Sequence, residues 1–235
     1  MKKQAWIFSL GLMGGTLGFA GDTVTDAMTA AYAPYRVVLF RTNSKAQMES
    51  ELAMAQAQQA WQKLVSTYAK APPVPYDRDA QFAQTLADVA AVYETASQEI
   101  RDKKLAQAHE TLEKARDLMA DIRRRNQVIV YSDHMNAYHA EMEHMLDHGP
   151  KWAGQPQGFL QLMEKLGALE FLAARLRTEA PAAVASDPGF IPAVTAVEMS
   201  LSTLRQAIMA QDAAKVLEAL PKIKGPYSRL FLNFG

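Results

Sequence analysis

Apolar side chains recur every three to four positions along almost the whole chain beyond Asn43, and glycine and proline fall almost entirely between the periodic runs. This is the period of an amphipathic helix, and Ala, Leu, Gln, Glu and Met, all strong helix formers, fill the runs. The pattern predicts a first long helix over Lys45 to Lys70 that buries Met54, Ala57, Trp61, Leu64 and Val65 and stops at Pro72-Pro73-Val74-Pro75. A second runs from Asp79, as its N-cap, through Phe82, Leu86, Val89, Tyr93 and Ala96 to Ile100. After a turn at Asp102-Lys103, a third runs from Leu105 through Leu112 and Met119 to Ile122. The β-branched stretch Gln127 to Tyr131 reads as a distortion in a helix that continues to Leu146, with Asp147-His148-Gly149-Pro150 as its stop.

The second half repeats this grammar. Phe159 to Arg177 is helical, Pro181 breaks it, and Asp187 caps a helix carrying Phe190, Val194, Val197, Leu201, Leu204 and Ile208. A turn at Gln211-Asp212 introduces Val216 to Ile223. A single shift of 108 positions carries Asp79 onto Asp187, Pro73 onto Pro181, Phe82 onto Phe190, Val89 onto Val197, Ile100 onto Ile208 and Leu112 onto Leu220. One shift shared by a cap, a loop proline and a run of core positions points to internal duplication. The expected fold is all-α: an antiparallel helical bundle of two related halves, residues 21–150 and 151–235. The echoed aromatic ends, Pro34-Tyr35-Arg36 and Pro226-Tyr227-Ser228, are expected to dock into the core.

Composition then narrows the setting. Lys2 and Lys3, the apolar run Ala5 to Leu17 and the small-x-small Gly18-Phe19-Ala20 have the form of a secretory signal peptide over residues 1–20. No later segment is long and apolar enough to span a bilayer, so a periplasmic location is expected. Lys and Arg total 25, as do Asp and Glu, and that balance disfavours nucleic acid or an anionic membrane as partner. The one basic run, Arg123-Arg124-Arg125, reads as a solvated helix face. With no cysteine there is no disulfide, thiolate nucleophile or covalently attached c-type haem.

Four of the five histidines lie between Tyr131 and His148, among Met135, Met142 and Met145. Imidazole and thioether are the neutral side chains that bind soft and borderline metals. With residues advancing about 100° each, Tyr131, Met135, Tyr138, Met142 and Leu146 share a core stripe, His139 sits at its edge, and Glu141, His144 and His148 fall beside His134. His134 and His148 stand too far apart along the axis to share an ion, so only neighbours three or four apart can cooperate. Two sets qualify. Glu141, His144 and His148 suit zinc or Cu(II), and Met135, His139 and Met142 suit Cu(I), each completed by a donor from another helix or by water. Glu170 and Glu198, inside apolar helices, read as edge residues, or as that missing donor if buried.

No His-Glu-x-x-His, Gly-x-Ser-x-Gly or phosphate-cradling loop occurs, and the Glu141-x-x-His144 unit has no second copy of the kind di-iron bundles need. The sequence therefore points to an exported, non-enzymatic binding protein for copper or zinc. The alternatives are an adaptor module for another envelope protein, third an enzyme whose site is assembled across distant segments, and, below these, a b-type haem bundle.

Overall fold

The computed structural model describes residues 23–235, and all regular structure within them is helical. The expected signal peptide lies outside the described residues. The first helix, α1 (Thr23–Asn43), precedes the first one expected from sequence. It buries Val24, Met28, Ala31, Tyr35, Val38 and Thr42, alternating steps of four and three that turn one stripe to the core. Pro34 sits inside it and removes the bond to the Ala30 carbonyl; Ala30 is exposed, so water can replace that donor.

Three antiparallel helices follow, α2 (Gln47–Tyr68), α3 (Phe82–Arg101) and α4 (Leu105–Arg125). Each packs on its neighbour, and α4 returns to α1, closing a four-helix bundle. Trp61, Tyr93, Tyr35 and Tyr32 form a run of rings through its centre, with centroids 5.1 to 6.1 Å apart. Two of their polar ends are tied off: Trp61 Nε1 donates to the Leu86 carbonyl at 2.9 Å, and the Tyr35 hydroxyl donates to the Leu112 carbonyl at 3.0 Å.

The second group comprises α5 (Tyr131–Ala153), α6 (Gly158–Thr178), the single turn α7 (Ala182–Ala185), α8 (Phe190–Met209), α9 (Ala213–Ala219) and α10 (Lys224–Phe234). α5 packs on α6, α6 on α8, and α8 on α9 and α10. A 3-10 turn over Leu220–Ile223 joins α9 to α10, so this fourth arm is a broken helix. The two groups meet where α1 lies against α10, and their buried side chains form one continuous core. No helix among the described residues is long and apolar enough to cross a membrane.

Two expectations are corrected here. The chain does not run on as helix through 127–131: α4 ends at Arg125 and α5 begins at Tyr131. Gln127 takes a left-handed conformation, φ 57°, and Val128 and Gln127 donate backwards to the carbonyls of Arg123 and Arg124. This is the reverse turn that glycine usually closes. Lys45, Lys103 and Gln211 do the same at φ 57°, 62° and 52°, each with the matching pair of backward bonds. Gly149-Pro150, in contrast, stops nothing, and α5 passes through both to Ala153. Gly149 is there for close packing, since a Cβ would stand 2.9 Å from Leu220 Cδ1.

The basic run is a solvated face only in part. Arg123 is 3 % exposed and grips Asp133 through Nε and Nη2, whereas Arg124 and Arg125 are exposed, Arg125 pairing with Asp79 at 3.0 Å. Asp79 itself caps from outside the helix, accepting from the Gln81 amide at 3.0 Å.

Candidate functional site

Six charged or titratable side chains from α4, α5 and α10 join end to end along the seam between the helix groups. On α4, His109 Nδ1 lies 3.1 Å from the Leu39 carbonyl, which can only accept, so Nδ1 carries a proton. Its Nε2 faces Glu113 Oε1 at 3.8 Å, one turn along the same helix. The carboxylate of Glu113 accepts from Arg116 Nη2 at 2.9 Å, and Arg116 Nη1 reaches across to His139 Nδ1 on α5 at 2.8 Å. A guanidinium only donates, so His139 Nδ1 is the acceptor and its proton resides on Nε2, 3.4 Å from Glu143 Oε1. Lys224 Nζ of α10 closes the chain at 3.0 Å from the same oxygen.

The electrostatics follow from this order. Burial works against the Arg116 charge, but Glu113 and its other neighbours outweigh it and hold the guanidinium above its ordinary value. The His139 hydrogen bond, reinforced by Lys224 against partial burial, lowers the Glu143 carboxyl to about 2. The His139 ring is fixed by stacking on Tyr227 at 5.6 Å, and Tyr227 is held by its hydroxyl donating to the Met135 carbonyl at 3.0 Å.

These groups line a half-open cavity of about 400 Å³ between α1, α4, α5 and α10. Asn43, Met142, Glu110 and Asp147 complete its polar and sulfur-bearing wall, and Phe40 and Phe231 its apolar one. Four carboxylates against Arg116 and Lys224 give the cavity a negative excess, a setting that favours a cation.

The residues singled out from sequence scatter around this site. His139 and Met142 open onto the cavity, and Met135 lies in the core beneath it. His134 faces a second cavity at the other end of the seam, where burial and the charge of Arg175 lower its pKa. Glu141 pairs with Lys165 at 3.4 Å. The rings of His144 and His148 lie 4.5 Å apart and pack on Trp152 near the end of α5. Glu170 and Glu198 pair with Arg205 and Arg177 as edge residues. Among the described residues, no three His, Cys, Asp or Glu side chains gather closely enough to hold one ion.

Sequence reasoning missed His109, Glu113, Arg116 and Lys224. One signal was present: His109-x-x-x-Glu113 and His139-x-x-x-Glu143 repeat a His–Glu pair at the spacing of one helical turn. Comparison with family models, curated proteins and solved structures finds no match for this chain, so its function has to be argued from the fold and from this chemistry.

Proposed function

We propose that this chain is an exported, non-enzymatic helical protein that binds a transition-metal ion, with copper the best fit, in the cavity along the seam. The observation that carries the reading is that His109 and His139, from helices in different groups, open onto one net-negative cavity together with Met142. His109 supplies an imidazole nitrogen, Nε2, Met142 supplies a thioether, and Glu113 supplies an adjacent carboxylate. His139 joins them when Arg116 turns aside, so the arginine guanidinium holds the place of a cation between Glu113 and His139.

Export rests on the Lys2-Lys3 and Ala5 to Leu17 pattern. Descent from a duplicated unit rests on the 108-residue shift. It carries α3 (Phe82–Arg101) onto α8 (Phe190–Met209), the left-handed Lys103 onto Gln211, and the Asp79 bond to the Gln81 amide onto that of Asp187 to the Gly189 amide.

Calorimetric titration of Cu(II), of Cu(I) under reductant and of Zn(II) into tag-free protein tests the metal reading. One site is expected, weakened at least about tenfold in His109→Ala and in His139→Ala, as loss of a ligand or its close support does. His148→Ala binds as wild type. Equal binding by wild type and both cavity variants refutes it. The adaptor reading has one observation in its favour, exposed Leu160 and Phe171 on the outer face of α6 at 74 % and 64 %. It predicts no metal binding.

A further inference from the structure

The second cavity, about 710 Å³, lies between the start of α1, the 126–130 turn, the start of α5 and the end of α10. Three arginines reach it, and two have carboxylates: Arg123 has Asp133, and Arg175 has Glu179 at 3.7 Å. Arg36 has none. Its Nη1 donates to the Phe231 carbonyl at 3.0 Å, and its Nε is buried without a partner. Asp26, which also lines this cavity, is exposed. Burial pushes the Arg36 guanidinium down from its ordinary value, with only the Tyr32 phenol opposing.

A half-buried guanidinium without a carboxylate is an uncompensated cost in the free protein, and an anion from outside would remove it. Much of the remaining wall is apolar: Met28, Val130, Val184 and Phe234, with Ile129 at the mouth, 73 % exposed. One unpaired positive charge beside an apolar chamber this size specifies the ligand class. We propose that this cavity binds an organic monoanion, a carboxylate on an apolar body, with the carboxylate on Arg36 and the body against Met28, Val184 and Phe234. The site is separate from the metal cavity and stands independently of it.

Calorimetry with octanoate, octanol and inorganic phosphate on the tag-free protein tests this. Octanoate should bind at least about tenfold tighter than octanol, the worth of a charge-assisted pair, and phosphate should not compete. Arg36→Met should abolish that preference and Arg36→Lys should keep part of it. Val184→Trp fills the chamber from the opposite wall, so it should block octanoate with Arg36 intact and gives an answer even if Arg36→Met fails to fold. Octanoate no tighter than octanol, a preference that survives Arg36→Met, competition by phosphate, or unchanged binding by Val184→Trp would each overturn the proposal.

Discussion

The pair of Arg123 and Asp133 ties the end of α4 to the first turn of α5 across the turn that separates the helix groups. Arg123 is 3 % exposed and Asp133 23 %. The carboxylate takes Arg123 Nε at 2.9 and 3.1 Å as well as Nη2, and one of its oxygens also accepts from the Val130 amide at 3.0 Å. Asp133→Ala therefore leaves a buried guanidinium without its counter-charge and frees the Val130 amide at the N-cap of α5. Breaking a buried pair from one side costs about 3–5 kcal/mol, and losing an N-terminal carboxylate bond about 1 more. Water can reach the space the aspartate leaves, so the lower end applies, about 3–4 kcal/mol in all. For a domain of this size that is a fall of about 6–16 °C in midpoint. Thermal unfolding followed by circular dichroism at 222 nm measures it. Adding Arg123→Met to Asp133→Ala should restore most of the loss, because an apolar replacement of the whole pair is close to neutral. A midpoint within about 2 °C of wild type for Asp133→Ala, or a double variant no better than the single, would refute the reasoning.

Three further outcomes follow from the same geometry. Burial alone would raise the Asp79 carboxyl, but bonds from Arg125, Asn126 and the Gln81 amide outweigh it and hold the group below its ordinary value of 3.8. The stability it contributes is therefore complete above that value and lost as pH falls through the lower folded one; urea midpoints across the acid range should show Asp79→Asn with a shallower decline than wild type, and parallel curves would count against it. At Gly158 an added Cβ would sit 1.7 Å from the Trp152 carbonyl oxygen, whereas Gly167 has open space; Gly158→Ala should cost about 2 kcal/mol or more and Gly167→Ala should gain about 0.5–1, read from urea denaturation, and equal effects would dismiss the argument. Gln127→Gly relieves a left-handed residue and should raise stability by about 0.5–1 kcal/mol in the same assay, with no gain as the contrary result.

Helix positions were legible where apolar periodicity coincided with proline. The helix expected to end before Pro72 ends at Tyr68, and the one expected over Phe159 to Arg177 spans Gly158–Thr178. The reverse turns at Lys103 and Gln211 fall where the sequence places them, although all four left-handed positions, Lys45, Lys103, Gln127 and Gln211, lack glycine. At 126–130 that absence, combined with β-branched neighbours, concealed the break between the helix groups. The same reasoning misplaced a stop at Gly149, whose missing Cβ makes room for Leu220 instead.

The candidate site was legible only in part, for a geometric reason. A helical face can be computed from one segment, so counting along Tyr131 to His148 correctly put His139 at the edge of the core stripe. The same counting cannot say what lies opposite that edge. His109 has Ala106 and no glutamate three residues upstream, so it forms no second Glu-x-x-His unit; its partner, Glu113, lies one turn downstream, and its counterpart across the seam lies thirty residues away on α5. His144 and His148 made the sequence cluster dense, yet they pack on Trp152 on their own helix. The density of one residue type along a single helix therefore marked a helix that lines the cavity, while His144 and His148 lie away from it. What selects the cavity is Arg116, whose two guanidinium nitrogens reach Glu113 on its own helix and His139 on another. Only the pairing of α4 with α5 turns it into the link between two His–Glu pairs.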